Sequence, residues 1–134
     1  MAWVLGRGSK KHLEGVHPDL VRVVVRTLEI SKYDFGITDG VRTNEEQLAN
    51  IASGASISKN SKHLIQKDGY SHAIDFMVYF EGKGTWDIKY YRKVIQAFFT
   101  SAIELGVQVE SGGLWESFVD GPHIQLGIFY REKL

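Results

Sequence analysis

Apolar residues recur at helical spacing in three stretches of the chain. One helix is predicted within residues 17–32, where Pro18 suits a first helical turn. A second is predicted within 44–54, since Thr43 and Glu46 form a capping-box pattern and Gly54 can close the helix. The third covers 85–106 and ends at Gly106. The residues expected on the buried faces of the first and third helices are Leu20, Val21, Val24, Val25 and Leu28, and Ile88, Tyr91, Val94, Ile95, Phe98, Ala102 and Leu105.

Shorter stretches are typical of β-strands. AIDFMVYF (73–80) is rich in β-branched and aromatic residues, a short strand is expected to end near Val41, and VQVES and HIQLGIF alternate between apolar and polar residues. Residues 55–72 are expected to form a polar loop, and EGKG to form a turn. We therefore predict an α+β fold in one domain (1–134), with about three helices packed on a small, mostly antiparallel sheet.

Composition excludes several classes of function. The 134 residues include sixteen basic and sixteen acidic ones, so no strong charge draws the chain to nucleic acid or to an anionic membrane. Without cysteine, a transition-metal site has to use histidine and carboxylate ligands. No long apolar run or signal peptide is evident, so we expect no membrane insertion. A monomer is the default expectation.

Strand alternation singles out two candidate ligands. Asp75 lies opposite the apolar face of AIDFMVYF, and His123 lies opposite the apolar face of HIQLGIF. If the two strands are close together in one sheet, a histidine from the preceding loop would complete a set of three ligands. Three protein ligands and an open position are typical of a catalytic zinc site.

Other residues leave alternatives open. His72 is a rival to His63 for the third position, but it lies three residues before Asp75 and should leave the opposite face of the strand. Asp120, which precedes a Gly-Pro turn, can act as a general base or can be a turn residue. Arg42 can bind a substrate carboxylate or an oxyanion, or can belong to a surface ion pair. Taken singly, each of these residues is explained more simply by a structural role than by a catalytic one.

The order of three motifs carries more information. GVRTNEEQ, then SKH with AID, then DGPH resembles the zinc D,D-carboxypeptidase and L-alanyl-D-glutamate endopeptidase family, and most of all its small single-domain phage endolysins. Those proteins have G-x-R-x-x-x-x-Q, S-x-H-x-x-G-x-A-x-D and D-x-x-H in this order. The resemblance covers roughly residues 9 to 127. The matching positions are Gly40, Arg42, Gln47, Ser61, His63, Ala73, Asp75, Asp120 and His123.

The resemblance implies a mechanism and a fold shared with hedgehog domains and D-Ala-D-Ala peptidases. Zn²⁺ would be held by His63, Asp75 and His123, in a groove on the sheet. Asp120 would act as the catalytic base, and Arg42 would bind the substrate or the developing oxyanion. Gln47 and Ser61 would contact or support the substrate site, with Ser61 orienting the loop that carries His63.

The resemblance also implies a substrate and a biological setting. The substrate would be the peptidoglycan stem peptide, cut between L-alanine and D-glutamate. The protein would wait in the host bacterial cytoplasm until its release to the periplasmic wall, with no separate wall-binding domain. The alternatives are a D-Ala-D-Ala carboxypeptidase, a zinc-containing domain that only binds the wall, and a metal-free domain.

One departure from the family pattern lies beside the predicted ligands. The family motif has six residues between its histidine and aspartate, whereas eleven separate His63 from Asp75. Ser71 also stands where the motif has glycine. Because NSKHL matches the first half of the motif, we expect His63 to remain the ligand and the extra residues to form a loop beside the metal.

Overall fold

The computed structural model of the protein describes residues 3–53, 61–112 and 121–127. The described elements confirm the α+β class, with four helices where about three were expected. The additional helix is the six-residue α1, which the apolar pattern did not reveal. In chain order the elements are α1 (Arg7–His12), α2 (Pro18–Ile30), β1 (Asp34–Asp39), α3 (Asn44–Ser53), β2 (Ala73–Phe80), β3 (Lys83–Thr85), α4 (Ile88–Leu105), β4 (Val109–Ser111) and β5 (His123–Leu126).

The five strands form one antiparallel sheet in which β2 is central. Its path is β1-β2-β5-β4, and β3 pairs with the far end of β2. The short strand β3 was expected to be only a turn. Glu81 and Gly82 have positive φ angles of 52° and 79°, as a two-residue hairpin turn requires, and this turn folds β3 back onto β2.

The hydrophobic core lies between one face of the sheet and helices α2 and α4. At the centre of α4, Phe98 is fully buried, and its ring centroid lies 5.3 Å from that of Phe35 in β1 and 5.2 Å from that of Phe76 in β2. Burial of one such side chain contributes roughly 1.5–3 kcal/mol. The predicted stripe on α4 is buried from Tyr91 to Ala102, whereas Ile88 at its start is 37% exposed.

The buried face of α2 differs in part from the prediction. Val25 was expected to be buried and is 42% exposed, while Val23 and Thr27 are buried instead. Thr27 can occupy the core because its hydroxyl donates to the carbonyl oxygen of Val23 at 2.6 Å. The buried face of α2 therefore includes Val23 and Thr27 in place of the expected Val21 and Val25.

Three predicted helix ends are confirmed within the described residues, whereas α4 begins at Ile88 and not at residue 85. Pro18 is the first residue of α2, and Gly106 closes α4 in the left-handed conformation at φ 68°. The Thr43 hydroxyl accepts from the Glu46 N–H at 3.1 Å, and the Glu46 carboxylate accepts from the Thr43 N–H at 3.2 Å. Gly54, the expected end of α3, lies outside the described residues.

Candidate metal centre

Asp75 and His123 are brought together by the pairing of β2 with β5. The two residues are direct partners across these antiparallel strands. Ile74 precedes Asp75, Ile124 follows His123, and both isoleucines are fully buried on the core side. Because side chains alternate along a strand, Asp75 and His123 point to the other face. The face of each strand was predicted correctly from the sequence, and the pairing supplies the proximity.

His63 reaches the same place from the loop between α3 and β2. Its backbone N–H donates to the Ser61 hydroxyl at 3.2 Å, and its carbonyl oxygen accepts from the Arg42 N–H at 2.9 Å. Its ring is almost fully buried, at 1% exposure, and Nδ1 lies 2.8 Å from the carbonyl oxygen of Gly40. Ser61 thus contacts the backbone of His63, and Gly40 fixes the ring; the role of Ser61 in orienting the loop stays a prediction.

In each histidine, the ring nitrogen that points away from Asp75 has a hydrogen-bond partner of its own. Because a carbonyl oxygen only accepts, His63 Nδ1 carries the hydrogen and donates it to Gly40. His123 Nε2 likewise lies 2.8 Å from Gln125 Oε1, whose amide nitrogen donates to Glu110 at 3.3 Å. The nitrogens that face Asp75, His63 Nε2 and His123 Nδ1, are therefore the ones that can bind a cation.

These two nitrogens converge on one carboxylate. His63 Nε2 and His123 Nδ1 each lie 3.2 Å from Asp75 Oδ1, and the ligand atoms of the three residues all lie within 4.8 Å of one another. Two imidazole nitrogens and a carboxylate oxygen at these distances form a donor set that suits a cation, so these residues fit a metal ion. Within residues 3–53, 61–112 and 121–127, no other group of His, Cys, Asp or Glu has this geometry.

Asp75 is ionised within this cluster. Burial alone would raise the pKa of its carboxyl group, but hydrogen bonds and electrostatic attraction from His123 and His63 outweigh that effect and hold the pKa well below its ordinary range. The carboxylate is thus in the state that a metal ligand requires.

Arg42 lies beside Asp75 Oδ2, the oxygen that does not contact the two histidines, and Gln47 holds Arg42. Arg42 Nη1 donates to Gln47 Oε1 at 2.7 Å, and Nη2 lies 3.5 Å from Asp75 Oδ2, at the outer limit of a hydrogen bond. Nε and Nη2 also donate to Asp39 Oδ2, a residue that the motif comparison did not single out. Gln47 is 1% exposed and holds Arg42 in place, while a contact between Gln47 and a substrate stays a prediction.

His72 belongs to a different cluster. Its Nε2 lies 2.6 Å from Asp68 Oδ2, and its ring meets the His17 ring edge-on at 5.4 Å. His17 caps the N-terminus of α2, where its Nδ1 accepts from the Asp19 N–H at 3.0 Å. The extra residues between His63 and Asp75 are therefore tied to α2, a role for His17 and Asp68 that the sequence analysis missed.

Asp120, the predicted base, lies outside the described residues. The chain is described again from Gly121, and the Pro122 carbonyl oxygen accepts from the Phe76 N–H at 2.9 Å. This bond fixes the start of β5 against β2, one residue after Asp75.

Comparison with known proteins assigns the chain to a family. The sequence profile of the phage L-alanyl-D-glutamate peptidases matches residues 1–127. The chain belongs to this family. The expected family and peptidase class are thereby confirmed.

Two phage proteins show the extent of the similarity. The L-alanyl-D-glutamate peptidase of Escherichia phage T5 is 36% identical over 141 aligned residues, which cover 94% of this chain and 99% of that protein. The L-alanyl-D-glutamate peptidase of Listeria phage A118 is 42% identical over 90 residues, which cover 66% of this chain and 29% of that protein. The similarity to the first of these peptidases thus extends over almost the whole chain.

A solved structure supports the fold of this family member. The crystal structure of the Serratia marcescens L-Ala D-Glu endopeptidase ChiX has a TM-score of 0.81 and 36% identity, over 90% of this chain and 87% of that one. None of the helices in the described part of the chain is both long enough and apolar enough to cross a membrane.

Proposed function

We propose that this chain is a zinc-dependent peptidase that hydrolyses the bond between L-alanine and D-glutamate in the peptidoglycan stem peptide. The observation that carries the proposal is the convergence of His63 Nε2, His123 Nδ1 and Asp75 Oδ1 in one possible ligand set. Two imidazoles and one carboxylate suit zinc, and three protein ligands leave room for a substrate. Bound there, Zn²⁺ would polarise the scissile carbonyl and make water a nucleophile at neutral pH.

Asp120 is proposed as the general base. It lies three residues before His123, and Gly121 and Pro122 come between them. Its carboxylate would take a proton from the attacking water as the new C–O bond forms, and would pass that proton to the leaving amine as the C–N bond breaks. The products are a peptide ending in L-alanine and a peptide beginning with D-glutamate.

Arg42 is proposed to act on both the metal ligand and the reacting carbonyl. Its contacts with Asp39, Gln47 and Asp75 use four of the five guanidinium hydrogens. The remaining hydrogen on Nη1 can be donated to a substrate oxygen. A fixed positive charge near the carbonyl would stabilise the negative charge that develops on its oxygen.

The biological role follows from the substrate. We infer that the protein acts as a monomer, stays in the host bacterial cytoplasm until its release, and then degrades the periplasmic wall. Hydrolysis at D-Ala-D-Ala is the second candidate function, because the sequence motifs suit both activities.

Mass spectrometry of digested muropeptides tests the proposed bond. The expected products are glycan strands carrying only L-alanine and free peptides with an N-terminal D-glutamate. Loss of a terminal D-alanine alone would contradict the endopeptidase proposal. Zinc-loaded protein that binds muropeptides and leaves every bond intact would instead identify a wall-binding domain.

A further inference from the structure

We propose that Asp39 is a positioning residue that sets Arg42 against the metal ligand Asp75. The inference rests on the proposed function, because it concerns how this chain prepares Asp75 to bind the ion. Asp39 lies outside the three sequence motifs and is identified by its place in the sheet.

A bulge in β1 brings Asp39 to the site. Ile37 pairs with Phe76, and the next pair is Asp39 with Asp75, so Thr38 is an extra residue without a partner in β2. In a regular strand Asp39 would share the core-facing side with Phe35 and Ile37, which are both buried. The bulge shifts the alternation by one residue and places Asp39 on the same side as Asp75. Bulges commonly turn side chains in this way beside functional sites.

Arg42 then links the two carboxylates. Asp39 and Asp75 are directly opposite on neighbouring strands, a placement in which like charges repel. Arg42 Nε donates to Asp39 Oδ2 at 3.1 Å, and Nη2 lies between that oxygen and Asp75 Oδ2, 3.5 Å from the latter. The Arg42 side chain is only 10% exposed, and its guanidinium is held on the other side by Gln47.

This arrangement fixes how Asp75 presents its oxygens. Oδ2 faces Arg42, and Oδ1 faces His63 and His123. Without Asp39, Arg42 would lose both hydrogen bonds that aim its Nε edge, and Asp75 would lose the restraint on Oδ2. This effect reaches the metal ligand through Arg42.

A double-mutant cycle separates this role from a direct charge effect. The proteins are the wild type, Asp39→Asn, Arg42→Gln and the double variant. The measurements are the zinc dissociation constant by chelator competition, kcat/KM on peptidoglycan, and the urea midpoint of the metal-free protein. We expect Asp39→Asn to weaken zinc binding about tenfold in the wild-type background, within the range typical of residues that orient ligands. In the Arg42→Gln background the same change should cost at most about twofold.

Two further variants control the cycle. Asp34→Asn removes a carboxylate from the same strand, opposite Tyr79, and should leave zinc affinity within about twofold of the wild type. If Asp39→Asn lowers the urea midpoint severely, Asp39→Glu keeps the charge and should retain zinc affinity closer to that of the wild type. Equal losses of zinc affinity in both backgrounds, or no loss in either, would overturn the proposal. Because zinc affinity is measured without substrate, failure to cut the stem peptide would refute the proposed function and leave this test intact.

Discussion

The carbonyl oxygen of Gly40 accepts a hydrogen bond from His63 Nδ1 at 2.8 Å, and this bond joins the first sequence motif to the second. Gly40 can occupy this place because it has no side chain. A Cβ atom there would lie 2.0 Å from the His12 carbonyl oxygen and 3.0 Å from Val16 Cγ2. The motif glycine therefore allows the backbone to approach the end of α1 and to orient a predicted metal ligand.

Gly40→Ala should consequently damage both stability and the metal site. We expect the free energy of unfolding to fall by about 1–3 kcal/mol or more, because backbone has to move to admit the methyl group. Urea unfolding of the metal-free protein measures the change. Gly8→Ala is the matched control, since a Cβ at Gly8 meets nothing within 4 Å. Equal stability of the two variants would show that the close approach at Gly40 is unimportant.

Gln47→Ala should weaken catalysis through Arg42. The substitution leaves the Nη1 edge of Arg42 without its 2.7 Å acceptor, inside a buried site. We expect kcat/KM to fall roughly tenfold or more and stability to fall by about 1–3 kcal/mol. Leu48→Ala, at a neighbouring position of α3 that is 55% exposed, should change neither quantity appreciably. Unchanged kcat/KM in Gln47→Ala would contradict the support that Gln47 gives to Arg42.

His72→Gln should separate stability from metal binding. His72 contacts Asp68 and His17, so its loss should loosen the loop between His63 and Asp75 and cost about 1–2 kcal/mol of stability. Zinc content should remain at the wild-type level, as measured on protein purified without a histidine tag. Zinc loss in a variant that is still folded would instead assign His72 to the metal.

Asp120→Asn should abolish cleavage and keep the metal. Asp120 is proposed to transfer the proton from water to the leaving amine, so the substitution should lower kcat by about 10²–10⁴-fold. The zinc should stay because its proposed ligands are His63, Asp75 and His123. Muropeptide digestion followed over time measures the rate, and elemental analysis measures the zinc. A variant that loses both activity and zinc would indicate that Asp120 binds the ion itself.

The sequence predicts those parts of the fold that depend on local periodicity. The helix α4 and the strand β2 were predicted because their apolar repeats and end signals are strong. The same strand periodicity placed Asp75 and His123 on the polar face without any knowledge of the pairing.

The missed features depend on contacts between distant parts of the chain. The bulge at Thr38 places Asp39 on the same side as Asp75, whereas regular strand alternation would place it on the core side. The helix α1 has six residues and covers the edge of β1, where the Ser9 hydroxyl accepts from the Ile37 N–H at 2.9 Å. The bonding of His72 to Asp68 likewise follows from how the loop folds against α2.

Zinc analysis of the wild type and of variants at the three converging residues tests the central claim most directly. Tag-free wild-type protein should contain about one zinc per chain, and chelation should abolish cleavage until zinc is restored. His63→Ala, Asp75→Ala and His123→Ala should each lose the metal and the activity, whereas His72→Gln should keep both. Full cleavage by exhaustively chelated protein, or one zinc per chain in all three alanine variants, would contradict the account.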